Sequence, residues 1–130
     1  MSCRLVPHQQ HEKISQLFID YVYSVVPDYV TVKVTPMHGG DGYVCPIDMP
    51  AYKIAERAYE KAFGKRPLAV RRGGSIPVIA DFEKILGVKS LLMGFGLESN
   101  AIHSPNENQQ IEIMEKGIIA VAEFYKEFGK

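Results

Sequence analysis

Two cysteines in 130 residues, Cys3 and Cys45, are too few for a disulfide framework and match no Cys-x-x-Cys spacing for metal or redox chemistry. They read as incidental or buried thiols of a reducing compartment. Charge of one sign is lacking too, because fifteen basic residues stand against fifteen acidic ones. A balanced chain has no global field to draw in nucleic acid or an anionic membrane, so neither is expected as a partner. No apolar run approaches the ~18 residues of a membrane span, and the opening Met-Ser-Cys-Arg-Leu has no signal-peptide core. The expectation is a cytoplasmic protein. Compact catalytic signatures are also missing: there is no His-x-Asp, no Glu-Glu pair, no His-Glu-x-x-His and no Gly-x-Ser-x-Gly. A metal site needs about three or four protein ligands, and no local motif assembles them.

What the chain does contain is an alternation of helical and extended patterns, long enough for one domain or two small lobes. After a short extended start at 4–6, Ile14, Leu17, Phe18, Tyr21, Val22 and Val25 recur at helical spacing, with Pro27 just beyond. Val30, Val32 and Val34 alternate with Thr31 and Lys33, the period of a strand with one buried face. Residues 37–42 are rich in helix and strand breakers and read as a boundary. A second helix starts at Pro50, buries Ala51, Ala55, Ala58, Tyr59 and Ala62, and stops at Gly64. Residues 68–70 read as a strand. Pro77 opens a third helix with Val78, Phe82, Ile85 and Leu86 inside, closed by Gly87. Residues 90–95 form a nearly continuous apolar strand, and a loop over 96–106 leads to a last helix with Ile111, Met114, Ile118, Val121, Ala122 and Tyr125 on its inner side. The expected fold class is α/β. A small strand-helix-strand lobe occupies 1–37, and a helix-strand-helix-strand-helix part follows over 38–130, with ligand chemistry at the strand carboxyl ends.

Two loops carry unusual chemistry. His103 precedes the last helix, flanked by Ser104, Pro105 and Asn106; a histidine there suits a metal ligand or a general base, or simply faces solvent. Gly73, Gly74 and Ser75 stand directly before a helix, where free backbone amides and the helix dipole suit a carboxylate or phosphate. Glycine at a strand-to-helix turn also has a purely steric reading. Arg71 and Arg72 would strengthen an anion site if one points inward. Arg4 offers a guanidinium for bidentate contact with a carboxylate, and His38, beside Gly39 and Gly40, is a hinge histidine that either reaches a ligand or faces solvent. His8 and His11 precede the first helix and read as capping or solvent-exposed groups.

Taken in order, Arg4-Leu5-Val6-Pro7, the isolated His38, Gly73-Gly74-Ser75-Ile76-Pro77, Gly94-Phe95-Gly96 and His103-Ser104-Pro105-Asn106-Glu107 resemble the second half of the metal-dependent peptidases and deacylases. That family includes carnosinase, acetylornithine deacetylase, succinyl-diaminopimelate desuccinylase and carboxypeptidase G. The resemblance spans practically the whole chain. It implies that 1–37 is the remainder of a lid and dimerisation domain and that 38–130 is the end of a zinc-aminopeptidase-like catalytic domain. It places His103 on a metal ligand, and Arg4, His38, Gly74 and Ser75 on substrate-binding positions. It further implies two divalent metals, zinc or manganese, a dipeptide or N-acylated amino acid as substrate, and a homo-oligomer. The His-x-Asp motif and the Glu-Glu pair that supplies the general base have no counterpart among these residues. The expectation is therefore the C-terminal portion of a two-metal amide-bond hydrolase, with an incomplete metal site, no catalytic base, and no activity by itself. Two rival readings are a non-catalytic oligomerisation or interaction module, pairing through an edge strand at 30–34, and a small anion-binding α/β domain using the glycine turn.

Overall fold

Proline and glycine set most of the helix ends. The computed structural model describes residues 1–71 and 76–130. Its helices are α1 (His11–Val25), α2 (Pro50–Phe63), α3 (Pro77–Leu86) and α4 (Ile111–Phe128), with a short 3₁₀ turn at Glu98–Asn100. Pro50 and Pro77 sit in the first turns of α2 and α3, where a missing N–H costs nothing. Gly64 and Gly87 end the same helices in the left-handed conformation, at φ 72° and 66°.

The chain divides into two compact units, one formed by Met1–Val44 with Arg71–Ser90 and the other by Cys45–Val70 with Leu91–Lys130. In the second unit α2 packs on α4, the one pair of helices in contact among the described residues. The contact is made by small side chains: Ala55, Ala58 and Ala120 are the buried apolar residues, at 5%, 1% and 0% exposure, and Gly117 is buried with them. Small residues let two helices approach closely, and here they also make room for an aromatic ring. A Cβ on Gly117 would stand 3.0 Å from Phe95 Cγ. Phe95 in turn stacks on Tyr59 and Phe63 of α2, with centroids 5.3 and 6.3 Å away. The Tyr59 hydroxyl donates to the Gly94 carbonyl at 2.9 Å, and burial pushes its pKa up to about 12. Along the outer rim Arg57 pairs with Glu127, and Lys61 pairs with Glu123 at 2.7 Å.

The first unit is tied by polar contacts. The Tyr43 hydroxyl donates to the Ser90 carbonyl at 2.6 Å and accepts from the Ser90 N–H at 2.9 Å. Gly40 passes so close to Pro77 that a Cβ would lie 2.5 Å from the proline Cβ, which makes glycine a steric requirement there.

Two expectations are corrected. No strand occurs among the described residues, so the segments at 4–6, 30–34, 68–70 and 90–95 are not strands here. A strand exists only through a ladder with a neighbour, and in these segments the backbone groups that have partners meet side chains or nearby carbonyls in turns, as the Val30 N–H donates to the Pro27 carbonyl at 2.9 Å. The Val34 N–H donates to the Tyr23 hydroxyl at 3.3 Å, and the carbonyls of Gly94 and Phe95 accept from Tyr59 and Gln109. In the segment read as a strand at 68–70, Leu68 and Val70 are 87% and 72% exposed. The inner faces of α3 and α4 are also corrected: Ile85 and Leu86 are exposed, and so are Ile111, Ile118 and Tyr125. Periodicity identifies the face that favours burial, but burial still requires something to pack against it.

Candidate functional site

The loop that carries His103 is fixed by its own hydrogen bonds. Leu97 N–H donates to Asn100 Oδ1 at 2.5 Å, and Asn108 N–H donates to the Asn100 carbonyl at 3.0 Å, so one residue closes the loop from both ends. Asn100 is buried at 1% exposure, and its Nδ2 has no hydrogen-bond partner among the described residues. Further along, the Ser104 N–H and hydroxyl both donate to the Ala101 carbonyl, at 3.0 and 2.6 Å. Ala101, His103 and Asn106 all adopt positive φ, at 51°, 63° and 63°. Three non-glycine residues in that region within six positions mark a backbone held against its local preference, a condition concentrated at binding and catalytic loops. His103 itself is exposed on this frame.

A second arrangement is built at the start of α1. Gln10, at the N-cap position, makes no side-chain cap. Asp41 supplies the acceptor instead, with Oδ1 2.8 Å from the His11 N–H and 3.0 Å from His11 Nδ1. The hydrogen bonds from the His11 backbone and ring hold the Asp41 carboxyl below its ordinary value of 3.8. An ionised carboxylate only accepts, so Nδ1 carries the proton. Beside the pair lies a cavity of about 270 Å³, lined also by Gly42, Ala80, Asp81, Glu83 and Lys84. The sequence read His11 as a capping or exposed group, and its partner lies thirty positions away. No local pattern signals that pairing.

These geometries test the fit of a metal. His11, Glu12 and Asp41 are the one group of three ligating side chains gathered among the described residues, with ligand atoms within 4.8 Å of one another. Two features oppose a cation there. His11 Nδ1 is committed to Asp41, and the first turn of a helix presents its positive end. The group acts as a cap. His103 offers one imidazole and belongs to no described group of three. One imidazole by itself falls short of the roughly three or four protein ligands that a metal site needs. Of the other expected residues, Arg4 and His38 are exposed and stand in the first unit, whereas His103 stands in the second. Gly74 and Ser75 lie outside the described residues. No helix among the described residues is long and apolar enough to cross a membrane.

Comparison with known proteins extends these observations. Residues 3–127 match the sequence pattern of Peptidase family M20/M25/M40. The Cys-Gly metallodipeptidase of Schizosaccharomyces pombe is 32% identical over 120 residues, covering 90% of this chain and 25% of that protein. The Cys-Gly metallodipeptidase of Candida albicans is 28% identical over 132 residues, or 99% of this chain and 27% of that one. The Beta-Ala-His dipeptidase of Homo sapiens is 30% identical over 109 residues, or 82% and 22%. No solved structure matches. The chain thus spans about a quarter of the length of these curated relatives. With a match running over nearly all its residues, the chain belongs to Peptidase family M20/M25/M40.

Proposed function

We propose that this chain contributes the His103 loop and a substrate-binding surface to a metal-dependent peptidase that cleaves dipeptides. The observation that carries the reading is the family match over residues 3–127, with relatives named as a metallodipeptidase and a dipeptidase. Membership of the family agrees with an α/β class for the whole enzyme. Residues 1–37 are assigned to the end of a lid and dimerisation domain, and 38–130 to the end of the catalytic domain. His103, on its hydrogen-bonded and left-handed frame, is the metal donor. Arg4 and His38 hold the substrate, and Gly74 and Ser75 receive its carboxylate end. Two divalent ions, zinc or manganese, would polarise the scissile carbonyl and acidify a bound water. The general base belongs to residues beyond this chain. An N-acylated amino acid is a second substrate class with the same amide bond. The working context is a homo-oligomer in the cytoplasm.

The test uses the 130-residue chain alone and an enzyme that contains it together with the remaining family segment. Alone, it is expected to show no turnover of a dipeptide panel with zinc or manganese added. In the complete enzyme, His103→Ala is expected to lower both bound metal and turnover, while Arg4→Ala raises KM and leaves metal content unchanged. Full metal occupancy with normal rates in His103→Ala would remove the central assignment.

A further inference from the structure

Asn100 is the largest fully buried side chain among the described residues, and it is polar. The other buried side chains are the alanines of α2 and α4. A leucine would fill nearly the same volume with no polar atom to desolvate, so an amide in this place is explained by the bonds it makes. Those bonds reach both ends of the His103 loop. At the entry, Oδ1 accepts from the Leu97 N–H at 2.5 Å, and the Asn100 N–H donates to the Leu97 carbonyl at 3.0 Å. At the exit, the Asn100 carbonyl accepts from the Asn108 N–H at 3.0 Å. An N–H must be met by an oxygen, which fixes the amide with Oδ1 towards Leu97 and Nδ2 away from it. Nδ2 finds no partner there among the described residues. A buried donor left unpaired is costly, and its presence shows how strongly the acceptor on the other side of the amide is required.

Between the two ends stands His103. Among the described residues no hydrogen bond holds its imidazole, so the direction of the ring is set by its backbone. That backbone sits at φ 63°, a value that a bulky residue adopts only under constraint. The neighbouring residue shares in the constraint: Ile102 Cδ1 lies 3.2 Å from the place a Cβ on Gly96 would take, so it rests against the chain just ahead of Leu97. We propose that Asn100 is a positioning residue for His103, its Oδ1 holding the loop closed and the closed loop aiming the imidazole. This rests on the reading of His103 as a working residue of a dipeptidase, which the experiment tests separately.

Two substitutions divide the amide. Asn100→Leu keeps the volume and removes the acceptor, whereas Asn100→Asp keeps an oxygen at the Leu97 N–H and removes the orphan donor. NMR of the 130-residue chain reads the loop without any turnover. In Asn100→Leu the Leu97 amide is expected to exchange about tenfold faster or more, and the Cα and Cβ shifts of His103 to leave their left-handed values, with helicity unchanged. Asn100→Asp is expected to keep the parent shifts. In the complete enzyme, Asn100→Leu is expected to lower kcat about tenfold or more with KM little changed, and Asn100→Asp to restore it. Four results would overturn the proposal. Parent-like shifts and exchange in Asn100→Leu would show that the amide does not hold the loop. Loss of helicity would make Asn100 a support of the fold as a whole. Failure of Asn100→Asp alongside Asn100→Leu would remove the acceptor as the working atom. Normal turnover in Asn100→Leu, with His103→Ala inactive and the loop loosened, would show that the frame does not aim the ring. Normal turnover in His103→Ala would instead end the role through the functional reading alone, and a loosened loop in Asn100→Leu would then show that the geometry stands.

Discussion

In the unit formed by Cys45–Val70 and Leu91–Lys130, two helices meet through alanine and glycine, and an aromatic ring closes the gap. In the unit formed by Met1–Val44 and Arg71–Ser90, no pair of helices packs together among the described residues. Its ties include paired hydrogen bonds, from the His11 backbone and ring to Asp41 and between Tyr43 and Ser90. The first kind of contact fails through volume and charge, the second through loss of one acceptor. Side-chain substitutions in the two units are therefore expected to differ in size, in pH dependence and in how far their effects spread.

The largest effect is expected at Ala58, 1% exposed on α2. Ala58→Asp places an unpaired carboxylate against α4 and is expected to cost about 3 kcal/mol or more, read as a lowered urea midpoint by circular dichroism. A cost near zero would show that the α2 and α4 contact does not hold the second unit together. Next comes Asp41→Ala, which removes the acceptor for the His11 N–H. A cost of about 1 kcal/mol is expected, with amide exchange accelerated in the first turn of α1 and unchanged in α4. This contribution has a defined sign with pH. Because the folded carboxyl titrates below 3.8, its stabilisation is present above that value and is lost as pH falls through the lower folded pKa.

Tyr59 gives the opposite pH dependence. Its phenol is raised from 10.0 to about 12 in the folded chain, so the unfolded chain gives up the proton first. Stability from this group is full below pH 10.0 and is lost as pH rises towards 12. Tyr59→Phe is expected to flatten that alkaline decline, measured as thermal midpoint against pH. The smallest effect belongs to the rim. Lys61→Ala removes a solvent-screened ion pair with Glu123 and is expected to leave the midpoint unchanged. A clear loss there would erase the distinction between rim and core in the second unit.

Helix positions were readable in the sequence because their stops are chemical. Pro50 and Gly64 bracket α2, Pro77 and Gly87 bracket α3, and both pairs hold in the structure. Ala55 and Ala58 were correctly placed inside α2. That 30–34 and 90–95 form no strand was not legible in the same way, since alternation describes one partner of a ladder and the sequence does not say whether the other is present. The apolar stripe of α4 was read correctly as a stripe and wrongly as an inner face. In the candidate site, the loop that carries His103 was visible as a loop from its flanking residues. The Asp41 cap was not, because a bond across thirty positions leaves no local pattern. Asn100 was passed over for a similar reason: an asparagine in a loop shows its importance only when its burial is known.

The left-handed φ of Ala101, 51°, has a consequence for chirality. An L-alanine in that region is crowded by its own Cβ, whereas the mirror-image residue adopts the same backbone without that crowding. At this position the loop follows a path natural to a D-amino acid. A semisynthetic chain with D-alanine at 101 would keep the His103 frame and rigidify it by excluding right-handed alternatives, whereas glycine would relieve the crowding and leave those alternatives open.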